Sequence, residues 1–504
     1  MRSRVNNIGR SSGILLPISA LPSPYGIGTL GNEARAFVDF LADARQRWWQ
    51  MLPVGPTSYG DSPYQSPSSF AGNPYFIDLD LLREDGLLKQ DEIDALSWGD
   101  DPERVDYALL YQNRFSLLEK ATLRGFDRDK KAVDEFFEQN RYWLDDYATY
   151  MAVKRHFGMR SWLEWDDDIR LYKKEAVERY KELLKDDVRL FVYIQFLFFK
   201  QWTALISYAH SKNVGIIGDM PIYVALDSVD VWANPDCFDL DEKGFPREVS
   251  GVPPDNFTAD GQLWGNPLYD YVAMEKDGYK WWLNRVKGAS KLFDVLRIDH
   301  FRGFESYWAV PAGEKTAING RWVKGPGMKL VGKLKEAFPD IRFIAEDLGY
   351  PSKEVVELLR ESQFPGMKVL QFAFDTRDDN NKNHLPHTYT ENSVCYAGTH
   401  DNDTLLGWMS TADKADIQRA VEYLGLNDRE GRIKGVLRSG MATVSNLFVA
   451  QMQDWLELDT RARMNTPGSP EGNWQWRMKK GVLSPVLSAE IARMTIRYNR
   501  TSKS

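Results

Sequence analysis

Eight short apolar runs recur along the chain, and most of them end in polar or acidic residues. The runs are GILLPIS (13–19), WWQMLPVGP (48–56), VGIIGDMPIYV (214–224), FDVLRIDHF (293–301), RFIAEDLG (342–349), MKVLQFAFD (367–375), SVCYAGTHD (393–401) and LFVAQMQD (447–454). Between many of them lie amphipathic stretches with helical spacing, such as EARAFVDFLADARQ after the first run. Continuous apolar strands that alternate with helices predict a buried parallel sheet, and eight units predict a (β/α)8 TIM barrel, an α/β fold.

The chain is about twice as long as such a barrel requires. It has 504 residues, whereas a bare barrel needs about 250. We predict that residues 1–56 and 214–504 form the barrel and that 57–213 is a mostly helical insertion after the second strand. A further insertion, 225–291 after the third strand, carries a lid loop at 250–267. Both insertions follow strand ends, at the face where barrel enzymes build their active sites.

Charge and cysteine content exclude several classes of partner. The net charge is −8 and the isoelectric point is near 5.5, so phosphate backbones and anionic membranes would be repelled. We therefore expect no nucleic-acid or membrane partner. The amino-terminal residues lack a long apolar stretch, and apolar runs elsewhere fall short of the ~20 residues of a membrane span. Two cysteines, Cys237 and Cys395, are too few for a disulfide-built secreted scaffold, which favours a cytoplasmic protein.

Aromatic residues are the compositional excess of this chain. There are 17 Trp, 23 Tyr and 25 Phe, which together make 13% of it. Most of these side chains are expected to pack in the core. The surplus also suits sugar rings, because their apolar C–H faces stack on flat side chains while their hydroxyl groups need polar partners. Composition thus permits a carbohydrate ligand without requiring one.

The fourth run carries an Arg and an Asp on one face. Arg297 and Asp299 are two positions apart in VLRIDHF, so the period of a strand points both to the same side. An Arg beside an Asp is expected to lower the pKa of the carboxyl group and keep it ionised, as a nucleophile must be. Taken alone, such a pair is more often a structural ion pair.

The fifth run places a second carboxylate one strand further along. Glu346 ends the apolar part of IAEDLG. On adjacent parallel strands, backbones ~4.8 Å apart would bring its carboxyl group and that of Asp299 near the ~5–5.5 Å separation of retaining glycosidases. Glu346 would then act as the acid, which requires a raised pKa that a negative neighbour could supply. Taken alone, an acidic residue at the end of such a run more often caps the helix that follows.

The seventh run ends in YAGTHDNDT, which adds His400 and Asp401. A competing interpretation starts from Asp401-Asn402-Asp403-Thr404, which resembles the DxDxT motif of haloacid dehalogenase-like phosphatases. That motif is short and is expected near the start of its domain, whereas here it lies in the seventh of eight strands. A metal site is not predicted, because the six histidines and two cysteines show no zinc-like cluster.

Taken together, four segments resemble a known family. In this order, GDMPIYV, VLRIDHFRG, FIAEDLG and GTHDNDT resemble the four sequence regions of the α-amylase superfamily barrel. More closely, they resemble glycoside hydrolase family 77, the 4-α-glucanotransferases known as amylomaltases or disproportionating enzymes. The resemblance extends over nearly the whole chain, through SSGILLPISALPSPYGIGTLG, LPVGPTSYGDSPYQSPSSFAGNPYFIDLDLL, SGVPPDNFTADGQLWGNPLYDY and RMNTPGSPEGNWQWR.

The resemblance implies a role for each site residue. Asp299 matches the nucleophile, Glu346 the acid/base and Asp401 the third carboxylate, which stabilises the oxocarbenium-like transition state. The implied sugar contacts are Arg297, His300 and His400 at the cleavage site, Asp219 after the third strand, Tyr59 after the second, and Gln262 and Trp264 in the lid loop.

The implied reaction transfers a segment of an α-1,4-glucan to the 4-hydroxyl of another glucan, with retention and without a cofactor. The substrates would be maltooligosaccharides, amylose, starch or glycogen, and a monomer is favoured. Two alternatives stay open at this point. A glucan hydrolase or branching enzyme would carry similar catalytic motifs, and a non-catalytic glucan-binding protein could retain the barrel.

Overall fold

The predicted barrel is present in the computed structural model, which describes residues 8–254, 258–349, 352–377, 381–469 and 471–501. The strands are β1 (Ser11–Leu15), β2 (Trp48–Gln50), β3 (Gly215–Met220), β4 (Glu248–Val252), β5 (Gln262–Pro267), β6 (Val295–Ile298), β7 (Ser306–Pro311), β8 (Arg321–Lys324), β9 (Arg342–Ala345), β10 (Gly366–Val369), β11 (Ser393–Tyr396) and β12 (Leu447–Gln451). Eight of them form a closed parallel barrel in the order β1-β2-β3-β6-β9-β10-β11-β12. Each barrel strand overlaps one of the eight apolar runs, so the fold prediction is confirmed.

The barrel interior is filled by alternate residues of these strands. One buried cluster contains Leu15, Trp48, Ile217, Val295, Ile344, Met367, Val369, Val394, Tyr396, Leu447 and Val449. Intervening strand residues belong to the larger outer core beneath the helices. Asp219 and Arg297 each follow a member of the inner cluster by two positions, so their side chains point to the interior near the carboxyl-terminal mouth.

Helices cover the barrel and make up much of the segment between β2 and β3. The α-helices of the described residues are α1 (Asn32–Asp43), α2 (Leu79–Glu84), α3 (Gln90–Asp94), α4 (Tyr107–Gly125), α5 (Lys130–His156), α6 (Asp167–Arg170), α7 (Lys174–Leu183), α8 (Lys185–Ser211), α9 (Val229–Trp232), α10 (Tyr271–Lys276), α11 (Lys280–Ser290), α12 (Met328–Ala337), α13 (Lys353–Ser362), α14 (Leu405–Thr411), α15 (Lys414–Leu424), α16 (Arg432–Ala442), α17 (Met452–Trp455) and α18 (Pro485–Arg497). Between β10 and β11, the described residues form short 3-10 turns in place of an α-helix.

Helix α8 joins the insertion to the barrel. Its Trp202 donates a hydrogen bond to the Leu292 carbonyl (3.3 Å) and lies edge-on to Phe293, with ring centroids 5.8 Å apart. Further along α8, the Tyr208 hydroxyl donates a hydrogen bond to the Asp39 carboxylate of α1. We propose on these contacts that the insertion predicted at 57–213 ends within α8, whose second half serves as the barrel helix before β3.

By length and composition, α8 could also cross a membrane, and it is the one helix of the described residues that could. Its most apolar 18-residue window is 61% buried inside the protein. The buried side chains include Tyr193, Phe198 and Trp202, which is the burial expected of a core helix.

A second, antiparallel sheet lies beside the mouth of the barrel, with strand order β5-β4-β7-β8. Its strands β4 and β5 come from the segment predicted as the 225–291 insertion, whereas β7 and β8 follow β6. Two barrel loops therefore build one sheet, and the segment predicted as the lid loop at 250–267 is anchored in it. Residues 255–257 of that loop lie outside the described residues.

Candidate active site

Two carboxylates lie at the same height at the ends of neighbouring barrel strands. β6 pairs with β9 so that Ile298 lies opposite Ala345, which makes Asp299 and Glu346 the next pair. The Glu346 amide donates to the Ile298 carbonyl (3.0 Å), so the ladder continues to this point. Because adjacent parallel strands lie ~4.8 Å apart, the two side chains start from backbones one strand spacing apart.

Arg297 holds two carboxylates at the centre of the site. Its Nη1 lies 2.7 Å from both oxygens of Asp219 and 2.9 Å from Oδ1 of Asp299. The Asp219 side chain is fully buried and that of Arg297 is 4% exposed, whereas Asp299 keeps 29% exposure. Asp299 is therefore the member of this trio that a ligand in the mouth can reach. Removing one partner of so buried a pair costs about 3–5 kcal/mol.

Arg297 acts to lower the pKa of Asp299, as expected, but the net shift of that pKa is upward. Burial raises the pKa of the Asp299 carboxyl group above its ordinary value, and the attraction of Arg297 only opposes that rise. The physical reason is that Arg297 divides its charge between Asp299 and Asp219, while the site excludes much of the water that would solvate a carboxylate. Arg297 still makes Asp299 the more acidic of the two catalytic candidates.

Glu346 sits in surroundings that favour its proton. Burial, and then the negative charge of Asp299, raise the pKa of Glu346 well above the usual range of a glutamate. Two backbone amides oppose this, since Leu348 N donates to Oε1 (2.6 Å) and His300 N donates to Oε2 (2.7 Å). These bonds also fix the orientation of the carboxyl group. A raised pKa is what Glu346 needs in order to act as the acid, as the sequence predicted.

His300 turns the chain over Glu346. Its φ is 51°, in the left-handed region, and this turn places its ring edge-on to Trp264 at 4.7 Å. Burial lowers the pKa of His300 to about 3, so the imidazole is neutral at pH 7. Trp264 Nε1 in turn donates to Gln262 Oε1 (3.1 Å) on the same strand.

Tyr64 connects the two sides of the mouth. Its hydroxyl donates to Asp219 Oδ2 (2.8 Å) and lies 2.9 Å from His400 Nε2, and the Tyr64 and His400 rings stack at 5.3 Å. A hydroxyl has one proton, which here goes to the carboxylate, so it must accept from His400. We infer that His400 carries a proton on Nε2.

Asp401 is held by the segment before the carboxyl-terminal helix. Asn465 Nδ2 donates to Asp401 Oδ1 (2.6 Å), and Arg463 Nη2 donates to the Asp401 carbonyl (2.6 Å). The side chain of Asp401 is 45% exposed. Trp474 lies beside His400, with ring centroids 6.0 Å apart. Asp401 therefore faces the open mouth with its orientation fixed from behind.

Within the described part of the chain, no group of three or more His, Cys, Asp or Glu side chains is arranged to hold a metal ion. The acidic side chains of the mouth already have partners in Arg297, Tyr64, Asn465 and backbone amides. This donor set suits carboxylate chemistry on a neutral, hydroxyl-rich ligand.

Comparison with known proteins identifies the family of this chain. Residues 16–484 match the 4-alpha-glucanotransferase family. The chain belongs to the 4-alpha-glucanotransferase family. The 4-alpha-glucanotransferase of Clostridium butyricum is 49% identical over 96% of this chain and 99% of that protein, and the one of Thermus thermophilus is 46% identical over 96% and 98%. The solved amylomaltase of Streptococcus agalactiae in complex with acarbose has a TM-score of 0.95 and 43% identity, covering 98% of this chain and all of that one.

Most of the residues predicted for a glucanotransferase site are brought together in this member of the family. One set of contacts, through Tyr64, joins Asp219, Arg297, Asp299, His400 and Asp401. A second set joins Glu346, His300, Trp264 and Gln262, and the neighbouring residues Asp299 and His300 connect the two sets. The backbone of Tyr59 lies in a 3-10 turn at Tyr59–Asp61, but its side chain is outside what the structure describes.

Sequence reasoning missed four side chains of this glucanotransferase site: Tyr64, Arg463, Asn465 and Trp474. All four lie in segments that were noted for their family resemblance, YGDSPYQSPSSF and RMNTPGSPEGNWQWR. Their partners are far away in sequence, so no local spacing could pair Asn465 with Asp401 or Tyr64 with His400. The one available signal was the polar and aromatic content of two segments without helical or strand periodicity.

Proposed function

We propose that this 4-alpha-glucanotransferase acts by a retaining double displacement through a glycosyl ester of Asp299. A carboxylate oxygen of Asp299 forms a bond to the anomeric carbon of an α-1,4-glucan while the glycosidic bond breaks, and the proton of Glu346 passes to the departing 4-oxygen. The 4-hydroxyl of an acceptor glucan then gives its proton to Glu346 and attacks the same carbon. This releases the Asp299 carboxylate.

The observation that carries the proposal is that Asp299 and Glu346 lie at the same height on adjacent strand ends. Their surroundings favour opposite protonation states of the two carboxyl groups. Arg297 favours the charged form of Asp299, whereas burial and the charge of Asp299 favour the protonated form of Glu346. One site thus holds a nucleophile and an acid at neutral pH. One strand spacing is also too short for the intervening water that an inverting enzyme needs.

Other predicted residues take supporting roles in the proposal. Asp401, held by Asn465 and exposed to the mouth, would stabilise positive charge on the sugar. Arg297, His300, His400 and Asp219 would shape the subsite for the reacting sugar. Trp264, with Gln262 behind it, would stack on the glucan, and Tyr59 stays a predicted contact.

The proposed substrates are α-1,4-glucans, and the proposed compartment is the cytoplasm. Support for the first comes from the amylomaltase solved in complex with acarbose. Cys237 and Cys395 are both free thiols in the structure, which suits a reducing compartment. The monomeric state stays a prediction.

Incubation with maltotriose alone tests the reaction. We expect glucose together with a ladder of longer maltooligosaccharides, because each transfer breaks one α-1,4 bond and makes another. Total reducing ends should stay constant, and every new linkage should be α by NMR. A steady rise in reducing ends would instead identify a hydrolase, and α-1,6 linkages would identify a branching enzyme.

The pH profile of kcat/KM tests the proposed protonation states. Asp299 must be ionised, and because burial raises its pKa, activity should fall on acidification at a pH above the ordinary titration of an aspartate near 4. Glu346 must be protonated, and because its pKa is raised further, activity should persist to neutral pH and fall on the alkaline side. A profile that is flat from pH 4 to 9 would contradict both assignments.

A further inference from the structure

Met367 contributes a thioether group to the interior of the barrel. It lies on β10, is 1% exposed and belongs to the inner cluster, whose other members are aliphatic or aromatic. Its Sδ accepts a hydrogen bond from Nε of Arg297 (3.4 Å). A thioether packs like an apolar side chain and is also a weak hydrogen-bond acceptor. Met367 can therefore fill the core and pair with a charged group at the same time.

The Arg297 guanidinium is held from two directions. On the neighbouring strand β3, Asp219 lies opposite Arg297 and accepts from its Nη1. On the other side, two strands away, Met367 of β10 accepts from its Nε. A guanidinium is planar and its donors point in fixed directions, so partners on two of its nitrogens fix the whole plane.

The orientation of this plane matters because one nitrogen serves three carboxylate oxygens. Nη1 lies 2.7 Å from both oxygens of Asp219 and 2.9 Å from Oδ1 of Asp299. Hydrogen bonds weaken steeply as their angle departs from linear, so a rotation of the guanidinium would weaken these contacts. Asp219 also accepts from Tyr64, whereas Arg297 is the one side chain among the described residues that donates to the Asp299 carboxylate. Asp299 therefore depends more on the orientation of Arg297.

Several titratable groups face Asp299 from the surrounding strands and loops. They are Arg297 of β6, Asp219 of β3, Glu346 after β9, Tyr64 after β2, and His400 and Asp401 after β11. Burial has the largest effect on the pKa of Asp299 and raises it, and Arg297 has the largest opposing effect. A guanidinium that turned away from Asp299 would leave this carboxyl group with a still higher pKa.

We propose that the thioether of Met367 is a positioning group for the transfer reaction, which fixes the guanidinium plane of Arg297 against Asp219 and Asp299. The inference rests on the proposed role of Asp299 as the nucleophile, because that role requires the ionised carboxylate that Arg297 supports. Met367 is buried in the barrel and acts on the reaction through Arg297.

The acidic limb of the pH profile of kcat/KM for maltotriose tests this role. Met367→Leu keeps an apolar side chain of similar volume, which a core usually tolerates, and removes the acceptor. We expect its acidic limb to move to higher pH by roughly half a unit or more, because Asp299 loses part of the contact that keeps it charged. Met367→Gln supplies a carbonyl acceptor on a side chain of similar length, and its acidic limb should lie within about 0.2 units of wild type.

A matched control and two further outcomes decide the inference. Met441→Leu is the control, because Met441 is fully buried in the outer core on α16 and its replacement should leave the acidic limb unchanged. If Met367 only fills space, Met367→Leu will lower kcat or the melting temperature without moving the limb, and that result overturns the positioning role. Equal shifts in the Leu and Gln variants overturn it as well, because the acceptor would then have no effect.

Met367→Ile also lacks an acceptor and replaces Met367→Leu in this comparison if the Leu variant does not fold, with the same outcomes. Failure of the proposed function would be visible separately. A wild-type profile without any acidic limb would contradict the nucleophilic role of Asp299, whereas a wild-type limb that stays in place when the acceptor is removed contradicts the role of Met367 alone.

Discussion

Replacing Asp299 with Asn is expected to lower kcat for glucan disproportionation by roughly four to six powers of ten, while glucan binding persists. The amide has no charge with which to attack the anomeric carbon, so no ester forms. The rest of the site should remain folded, because Arg297 keeps both contacts to Asp219. Single-turnover measurement with maltoheptaose, with binding by calorimetry, separates the two effects.

A matched control lies one residue beyond Glu346. Asp347 is a carboxylate whose Oδ1 accepts from Met367 N (2.7 Å) outside the proposed reaction, and an Asn there can keep that bond. Asp347→Asn should therefore retain near wild-type turnover. A second measurement assigns the nucleophile directly: azide with Asp299→Ala and α-maltosyl fluoride should yield the β-glycosyl azide. Normal disproportionation by Asp299→Asn would refute the mechanism.

Replacing Glu346 with Gln should have the second-largest effect. Transfer from maltooligosaccharides should fall about 10²–10⁴-fold, because the leaving 4-oxygen no longer receives a proton. With a glycosyl fluoride donor, the first step should recover, since fluoride leaves without protonation. The second step still lacks its base, so the glycosyl ester on Asp299 should accumulate and appear as added mass on the intact protein.

The donor series is the internal control for Glu346. Structural damage would lower the first step for both donors alike, and that outcome would remove Glu346 from the acid/base role. The alkaline fall in activity should also disappear in Glu346→Gln with the fluoride donor, because the group that loses its proton is gone. If that fall persisted, another residue would have to be responsible for it.

The eight barrel strands could be found from sequence because a strand buried on both faces is a continuous apolar run. The polar residue that ends such a run then marks the mouth of the barrel. Asp299 and Glu346 were located in this way, and strand order alone made them neighbours. Their placement at the same height was a condition of that prediction, and the register of β6 against β9 supplied it.

Contacts between distant segments could not be found by the same reasoning. Tyr64 joins Asp219 to His400, and Asn465 holds Asp401, yet no periodicity relates these positions. The small sheet is another example, because β4 and β5 pair with strands from a different barrel loop. Irregular segments carry no repeating pattern, so their partners depend on how the chain packs.

The sequence by itself determined the barrel, the residues at its mouth and membership of the glucanotransferase family. Only the tertiary structure decided the charge balance of those residues. The sequence paired Arg297 with Asp299 and predicted a lowered pKa, but the fold desolvates both and gives Arg297 a second carboxylate, Asp219. Desolvation depends on every segment that covers a site, and this is why a local motif names the groups while the whole fold sets their protonation.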